Sequence, residues 1–156
     1  MPMKPAGQPS SATTLLIVED EVLSAMALRD ELEDAGYRVL ELTDRSEDAL
    51  AAAEQHAPHL ALVNIQLNGQ DDGIELARKL KGMGIPVLFI SGQVSRARSA
   101  KTVAIGSLPK PYDPKDMVKA VDYLLRHLKG DERLARPFGL EVFDDQEDLP
   151  AEKPAA

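Results

Sequence analysis

Short apolar runs alternate along this chain with stretches in which apolar residues recur at helical spacing. Runs of this length indicate buried strands, whereas a period of three to four residues indicates helices that bury one face. The runs predict five strands, at residues 15–18, 38–42, 60–64, 87–90 and near 107–108. The helical stretches lie at residues 22–35, 46–55, 72–81, 95–103 and 114–128. Strand and helix therefore alternate five times.

Residue types at two helix starts support these boundaries. Asp72 and Glu75 have the spacing of a capping box, in which side chains satisfy the first backbone N–H groups of a helix. Asp113 followed by Pro114 is a typical cap and first position for the last helix. That helix has the most regular apolar stripe in the chain, formed by Met117, Val118, Val121, Leu124, Leu125 and Leu128.

Strands that alternate with helices at this spacing form repeated strand–helix–strand units. The pattern predicts an α/β fold, a doubly wound five-stranded parallel sheet with helices on both faces. Ligands of such sheets bind beyond the carboxyl ends of the strands. The polar residues that follow or end the predicted strands are Glu19, Asp20, Asn64, Ser91 and Lys110. We expect these five side chains to converge on one crevice.

Composition limits the function classes. The chain has 156 residues and no Cys, with 18 Lys and Arg against 26 Asp and Glu, a net charge of −8. One domain with tails fits this length. Without a thiol there is no disulfide, Cys-based metal site or Cys nucleophile. Since no apolar run approaches the roughly 18 residues of a membrane span, we expect a soluble cytoplasmic protein. The acidic balance also argues against nucleic acid as a partner.

The two ends differ in composition from the middle. Residues 1–12 are predicted to be a disordered N-terminal tail, and residues 13–129 form the folded domain. Residues 130–156 are predicted to be an acidic, mostly disordered C-terminal tail, because eight acids and three prolines leave little apolar surface to bury. One apolar island interrupts the tail, and its alternation suits a short added strand or a docking segment. It contains Phe138, Leu140, Val142 and Phe143.

Four fragments together resemble the receiver domain of bacterial two-component response regulators. They are Leu15-Leu16-Ile17-Val18-Glu19-Asp20-Glu21, Asp72-Gly73-Ile74-Glu75-Leu76, Phe89-Ile90-Ser91-Gly92 and Leu108-Pro109-Lys110-Pro111-Tyr112. The resemblance covers about residues 14–128, in the right order and spacing. It implies a flavodoxin-like, receiver-type fold and a role in phosphorelay signal transduction rather than an enzyme.

The resemblance also implies a role for each residue of the crevice. In that family an aspartate at the end of the third strand takes a phosphoryl group from a histidine kinase, and Mg²⁺ offsets the charge. Glu19 and Asp20 match the acids on the metal side, Ser91 the switch hydroxyl, and Lys110 the cation that binds phosphoryl oxygens. The phospho-acceptor position holds Asn64 instead of Asp.

Asn64 changes the expected chemistry. A neutral amide oxygen is a poor nucleophile toward phosphorus and a weaker ligand for a hard cation than a carboxylate. We therefore expect no acyl phosphate at this position, no catalytic residue, and only weak Mg²⁺ binding by Glu19 and Asp20. A second departure is Ser107, where the family usually has an aromatic residue that couples the crevice to the output surface.

Charge suggests where contacts could form. Between Leu76 and Tyr112 there are seven cations and no acid, and this stretch includes the output face of the family. One interpretation is an ordinary solvated face. The other is that the acidic tail folds back on this face, or competes with a partner for it.

These observations predict a stand-alone, atypical receiver that acts through protein contacts without Asp phosphorylation. Its partner would be a histidine kinase or another signalling protein, with a homodimer as a further option, and neither nucleic acid nor membrane. An ordinary phospho-accepting receiver is the alternative if Asn64 is an engineered change from Asp. A flavodoxin-like small enzyme or nucleotide binder is the third candidate, although no glycine-rich phosphate loop follows the first strand.

Overall fold

Strands and helices alternate along the two segments that the computed structural model describes, residues 13–67 and 71–143. The strands are β1 (Thr14–Val18), β2 (Arg38–Val39), β3 (Leu60–Asn64), β4 (Val87–Ser91), β5 (Gly106–Pro109) and β6 (Glu141–Val142). The helices are α1 (Val22–Asp34), α2 (Ser46–His56), α3 (Gly73–Gly82), α4 (Val94–Ser99) and α5 (Pro114–Leu128). A short 3-10 turn, Lys101–Val103, follows α4. The predicted N-terminal tail and residues 144–156 lie outside the described residues.

The strands form one sheet in the order β2-β1-β3-β4-β5-β6. The first five are parallel, as the sequence predicts, and β6 is antiparallel to β5. The prediction of a five-stranded sheet is thus corrected to six strands. In the register, Val18 pairs with Val63, Asn64 with Ile90, and Ser91 with Pro109, so the carboxyl ends of four neighbouring strands lie side by side.

Helices cover both faces of the sheet. Successive strand residues point to opposite sides, and because they are apolar on both sides, each face must be buried. Leu15 and Ile17 of β1 pack with α1 and α5, whereas Leu16 and Val18 pack with α2, α3 and α4. The four are fully buried. The doubly wound arrangement therefore buries nearly continuous apolar strands, as a parallel sheet covered on both faces requires.

The N-cap side chains predicted for α3 and α5 are present, while Glu75 of the predicted capping box accepts a hydrogen bond from Arg78 Nε at 3.3 Å. The Asp72 carboxylate accepts a hydrogen bond from Ile74 N at 2.9 Å, and the Asp113 carboxylate accepts one from Lys115 N at 2.9 Å. Two predicted elements differ in extent. The second strand is shorter than residues 38–42, although its extension still bonds to β1 through Leu40 N. The helix predicted at 95–103 is divided at Ala100 into α4 and the 3-10 turn.

The start of the C-terminal tail belongs to the sheet. Val142 pairs with Gly106, and Phe143 N donates to Ile105 O at 3.0 Å. Leu140, Val142 and Phe143 are buried, and the apolar island of the tail forms the short added strand that its alternation predicts. Three buried apolar side chains and the backbone bonds offset the ordering entropy that the acidic composition suggested would dominate. Phe138, in contrast, is fully exposed.

The two tail phenylalanines provide a matched pair for testing this packing. We expect Phe143→Ala to lower the free energy of unfolding by about 3 kcal/mol, because it leaves a cavity in the core. Phe138→Ala is expected to change it by no more than about 0.5 kcal/mol. Urea unfolding followed by circular dichroism measures both. Equal effects of the two substitutions would contradict the placement of Phe143 in the core.

Candidate functional site

The carboxyl ends of β1, β3, β4 and β5 enclose a crevice of about 630 Å³. All five residues that the sequence singles out line it. Its walls are formed by Glu19, Asp20, Glu21, Asn64, Ile65, Gln66, Ser91, Gly92, Gln93 and Lys110. The parallel register produces this convergence, because it ends neighbouring strands at the same edge.

Asn64 lies at the centre of the acidic side of the crevice. It is buried, and three acceptors surround its amide nitrogen. Asn64 Nδ2 donates to Glu19 Oε2 and Asp20 Oδ1, both at 3.2 Å, and to Gln66 O at 3.0 Å. The amide N–H groups thus join two carboxylates that would otherwise repel each other. A carboxylate at this position would have no proton to donate when ionised.

Glu19 is the most buried charged group of the site, with 1% of its side chain exposed. Its Oε2 also accepts a hydrogen bond from Glu21 N at 3.1 Å, and its Oε1 faces Lys110 Nζ at 3.5 Å. Within the described residues, Oε1 accepts no hydrogen bond. Burial raises the pKa of the Glu19 carboxyl above its usual value, and the Glu21 N–H and the Lys110 ammonium oppose this shift without cancelling it.

Ser91 is engaged with the start of α4. Its Oγ accepts a hydrogen bond from Gln93 N at 2.8 Å and lies 3.1 Å from Gln93 O, to which it donates. Lys110 N in turn donates to Ser91 O at 2.8 Å, which ties the end of β5 to that of β4. Ser91 and Lys110 therefore lie in the crevice as expected, but the Ser91 hydroxyl closes a local turn.

Gly73 is a residue of the site that the sequence shows only as part of a motif. Its N donates to Ile65 O at 2.8 Å, and a Cβ at this position would lie 2.2 Å from the Asn64 carbonyl oxygen. Only glycine allows α3 to begin this close to the end of β3. The spacing of Asp72 and Gly73 after the third strand is the signal that indicates the contact.

Tyr112 borders the crevice without lining it. It is partly buried and packs on the α1 and α5 side of the sheet. Burial, together with the charges of Glu19 and Glu21, raises its pKa to about 12. The tyrosine is therefore neutral over the whole physiological pH range.

The arrangement is a poor fit for Mg²⁺. The two carboxylates turn oxygens toward the Asn64 amide nitrogen, so N–H groups stand where a third oxygen ligand would be needed. Mg²⁺ requires an octahedral shell of oxygen ligands. Among the described residues, no group of three or more His, Cys, Asp or Glu side chains could hold a metal ion.

This chain belongs to the response regulator receiver domain family, whose pattern it matches over residues 15–122. It is 32% identical over 120 residues to the uncharacterized transcriptional regulatory protein YbdJ of Bacillus subtilis, covering 74% of this chain and 52% of YbdJ. It is also 32% identical over 117 residues to the phyllosphere-induced regulator PhyR of Methylorubrum extorquens, covering 73% of this chain and 44% of PhyR. The chain thus spans about half the length of these relatives.

Solved structures agree with the assignment. A CheY-like receiver domain protein from Methanospirillum hungatei superposes with a TM-score of 0.68 at 25% identity, covering 77% of this chain and 98% of the other. The receiver domain of a modulated diguanylate cyclase from Desulfovibrio desulfuricans gives a TM-score of 0.62 at 36% identity, covering 78% and 94%. Receiver domains are signalling modules of two-component systems. In the described part of this chain no helix has the length and apolar character to cross a membrane.

Asn64→Asp is expected to make stability depend on Mg²⁺. The variant lacks the N–H donors that join Glu19 and Asp20, and it adds a third negative charge. Its stability is first measured at neutral pH with a chelator present, so that no Mg²⁺ is bound. We expect it to lose about 1–3 kcal/mol of unfolding free energy. Added Mg²⁺ should restore much of this loss. Asn64→Ala is the control, since it removes the donors without adding a ligand and should not respond. A thermal shift with Mg²⁺ as large for the unaltered chain as for Asn64→Asp would contradict the site description.

Glu19 should make stability depend on pH. Because its pKa is higher in the folded protein than in the unfolded chain, its contribution to stability is complete below the ordinary carboxyl pKa of 4.5 and is lost as pH rises through the folded value. Relative to Glu19→Gln, the unaltered chain should therefore become less stable as pH rises above 4.5. Glu33→Gln, an exposed acid on α1, is the control. Parallel pH profiles for Glu19→Gln and the unaltered chain would be the contrary result.

Proposed function

We propose that this receiver acts as an atypical signalling module that works by protein contact, without phosphorylation at the acceptor position. Its partners would be a histidine kinase or another signalling protein of a two-component system, with a second copy of the chain as a further candidate. We infer a cytoplasmic location from the family alone. The observation that carries this proposal is the hydrogen bonding of Asn64 Nδ2 to both acidic side chains of the crevice.

The chemistry of the amide supports the proposal in two ways. Asn64 lacks the anionic oxygen that would attack phosphorus. Its N–H groups also satisfy Glu19 and Asp20, so the acidic side is held together without a metal. We therefore propose that Mg²⁺ binding is weak and that Lys110 serves chiefly to balance the charge of Glu19.

The second candidate is an ordinary phospho-accepting receiver, which would hold if residue 64 were Asp in the natural protein. The retained positions of Ser91 and Lys110 at the crevice favour it. An enzyme or nucleotide binder has less support, because the acidic turn after β1 would repel a phosphate where such proteins present backbone N–H groups.

Phosphotransfer tests the first proposal directly. The full chain and Asn64→Asp are incubated with acetyl phosphate and Mg²⁺, and intact mass is measured. We expect only Asn64→Asp to gain a phosphoryl group. Asn64→Asp combined with Lys110→Ala is the control, and it should gain less because the cation on the phosphoryl oxygens is missing.

Phosphorylation of the unaltered chain would refute the proposal. In that case the modified residue would be mapped, beginning with Asp71 and Asp72, which follow β3. If neither chain gained phosphate, the proposal would stand, and features other than Asn64 would also prevent phosphorylation.

A further inference from the structure

The outer edge of β5 is closed by the chain's own C-terminal segment. β6 pairs with β5 through Gly106–Val142 and Ser107–Glu141, and Phe143 N bonds to Ile105 O beyond the paired residues. We call residues 140–143 the strap and residues 105–109 the β5 edge. The strap supplies an acid and three apolar side chains, and it contributes no residue to the crevice.

The β5 edge is shaped to receive a strand. A Cβ on Gly106 would lie 2.7 Å from the Glu141 carbonyl oxygen, so glycine is needed for this close approach. From the other side, Arg98 Nε of α4 donates to both carboxylate oxygens of Glu141, at 3.0 and 2.8 Å. Backbone pairing, a close-approach glycine and a matched cation are three separate features that favour an acidic extended segment here.

The small side chain of Ser107 leaves room for the strap. Ser107 lies where the family usually has an aromatic residue. In this structure it lines a groove of about 370 Å³ between α4 and the strap. Val94, Arg98, Leu140 and Glu141 line the same groove. A large ring at position 107 would have to share this space with the strap.

The strap is also attached in a way that allows release. Its strand is two residues long, and most residues between α5 and the strap are exposed. Gly130 and Gly139, near the two ends of this connection, have φ values of 84° and 88°. Because the backbone pairing is short and the connection is exposed, opening of the strap is resisted mainly by the burial of Leu140, Val142 and Phe143. Opening would leave an unpaired strand edge, which is a template for another strand.

We propose that the β5 edge is a partner-binding surface that the strap occupies in cis. The partner fitted to it is another protein that presents an extended segment in which an acid is followed by two apolar residues, adding to β5 in place of Glu141, Val142 and Phe143. This inference deepens the proposed function, on which it rests, by naming the surface of contact. The surface adjoins the crevice, because β5 runs directly into Lys110.

A competition experiment with full-length chains tests the surface. The probe is a fluorescent peptide with the sequence of residues 138–145, and binding is followed by fluorescence anisotropy. Val142→Asp weakens the strap and leaves the β5 edge intact. We expect this variant to bind the peptide at least tenfold more tightly than the unaltered chain. Adding Gly106→Ala should abolish binding, whereas adding Gly82→Ala should not, because a Cβ at Gly82 meets no atom within 4 Å.

Charge reversal provides a second test that does not disturb the core. Glu141→Arg in the strap should speed hydrogen exchange of the Val142 and Phe143 amides. Arg98→Glu combined with Glu141→Arg should restore the slower exchange, because the pair is re-formed with reversed charge.

Two results would overturn the proposal. One is an absence of peptide binding by both the unaltered chain and Val142→Asp. The other is hydrogen exchange of the strap amides that, in all variants, is as slow as hydrogen exchange of the β3 and β4 amides. Neither result bears on phosphotransfer, and phosphorylation of the unaltered chain would not alter peptide binding, so the two proposals can fail separately.

Discussion

The crevice depends on one amide between two carboxylates. Glu19 and Asp20 follow β1, Asn64 ends the neighbouring β3, and the parallel register brings them within hydrogen-bond distance. Two acids held this close to a third anion would need a counterion. Asn64 takes the place of the third anion, because its neutral side chain donates hydrogen bonds to both. The acidic side of the crevice is therefore held by hydrogen bonds from Asn64 and Glu21 N and by the positive charge of Lys110.

This closure explains how the remaining polar residues are arranged. Glu19 can be almost completely buried because Asn64, Glu21 N and Lys110 together provide donors or positive charge around it. Burial still dominates and raises the pKa of its carboxyl. Lys110 faces this acid, and Ser91 is engaged with Gln93, so neither side chain needs a bound phosphoryl group for a partner in this state.

Much of this structure could be predicted from the sequence, because it follows from the local spacing of apolar and polar residues. Five parallel strands and the five crevice residues depend on apolar runs and on what ends them. The direction of the Asn64 amide could not be read from the sequence, since it depends on which acceptors surround it in the fold. The turn between Ser91 and Gln93 was missed for the same reason. β2 and α4 were predicted too long, because pattern fixes the ends of elements less well than their existence.

The sixth strand shows that local apolar alternation can outweigh an acidic composition. Residues 131–156 contain eight acids, yet the alternating apolar residues indicate an added strand, and three of them are buried against an existing edge. That fit depends on the receiving strand, where Gly106 permits backbone approach and Ser107 occupies little space. A tail can therefore be ordered by a surface formed far away in sequence. The same two small residues make the outer edge of β5 a place where a strand can add.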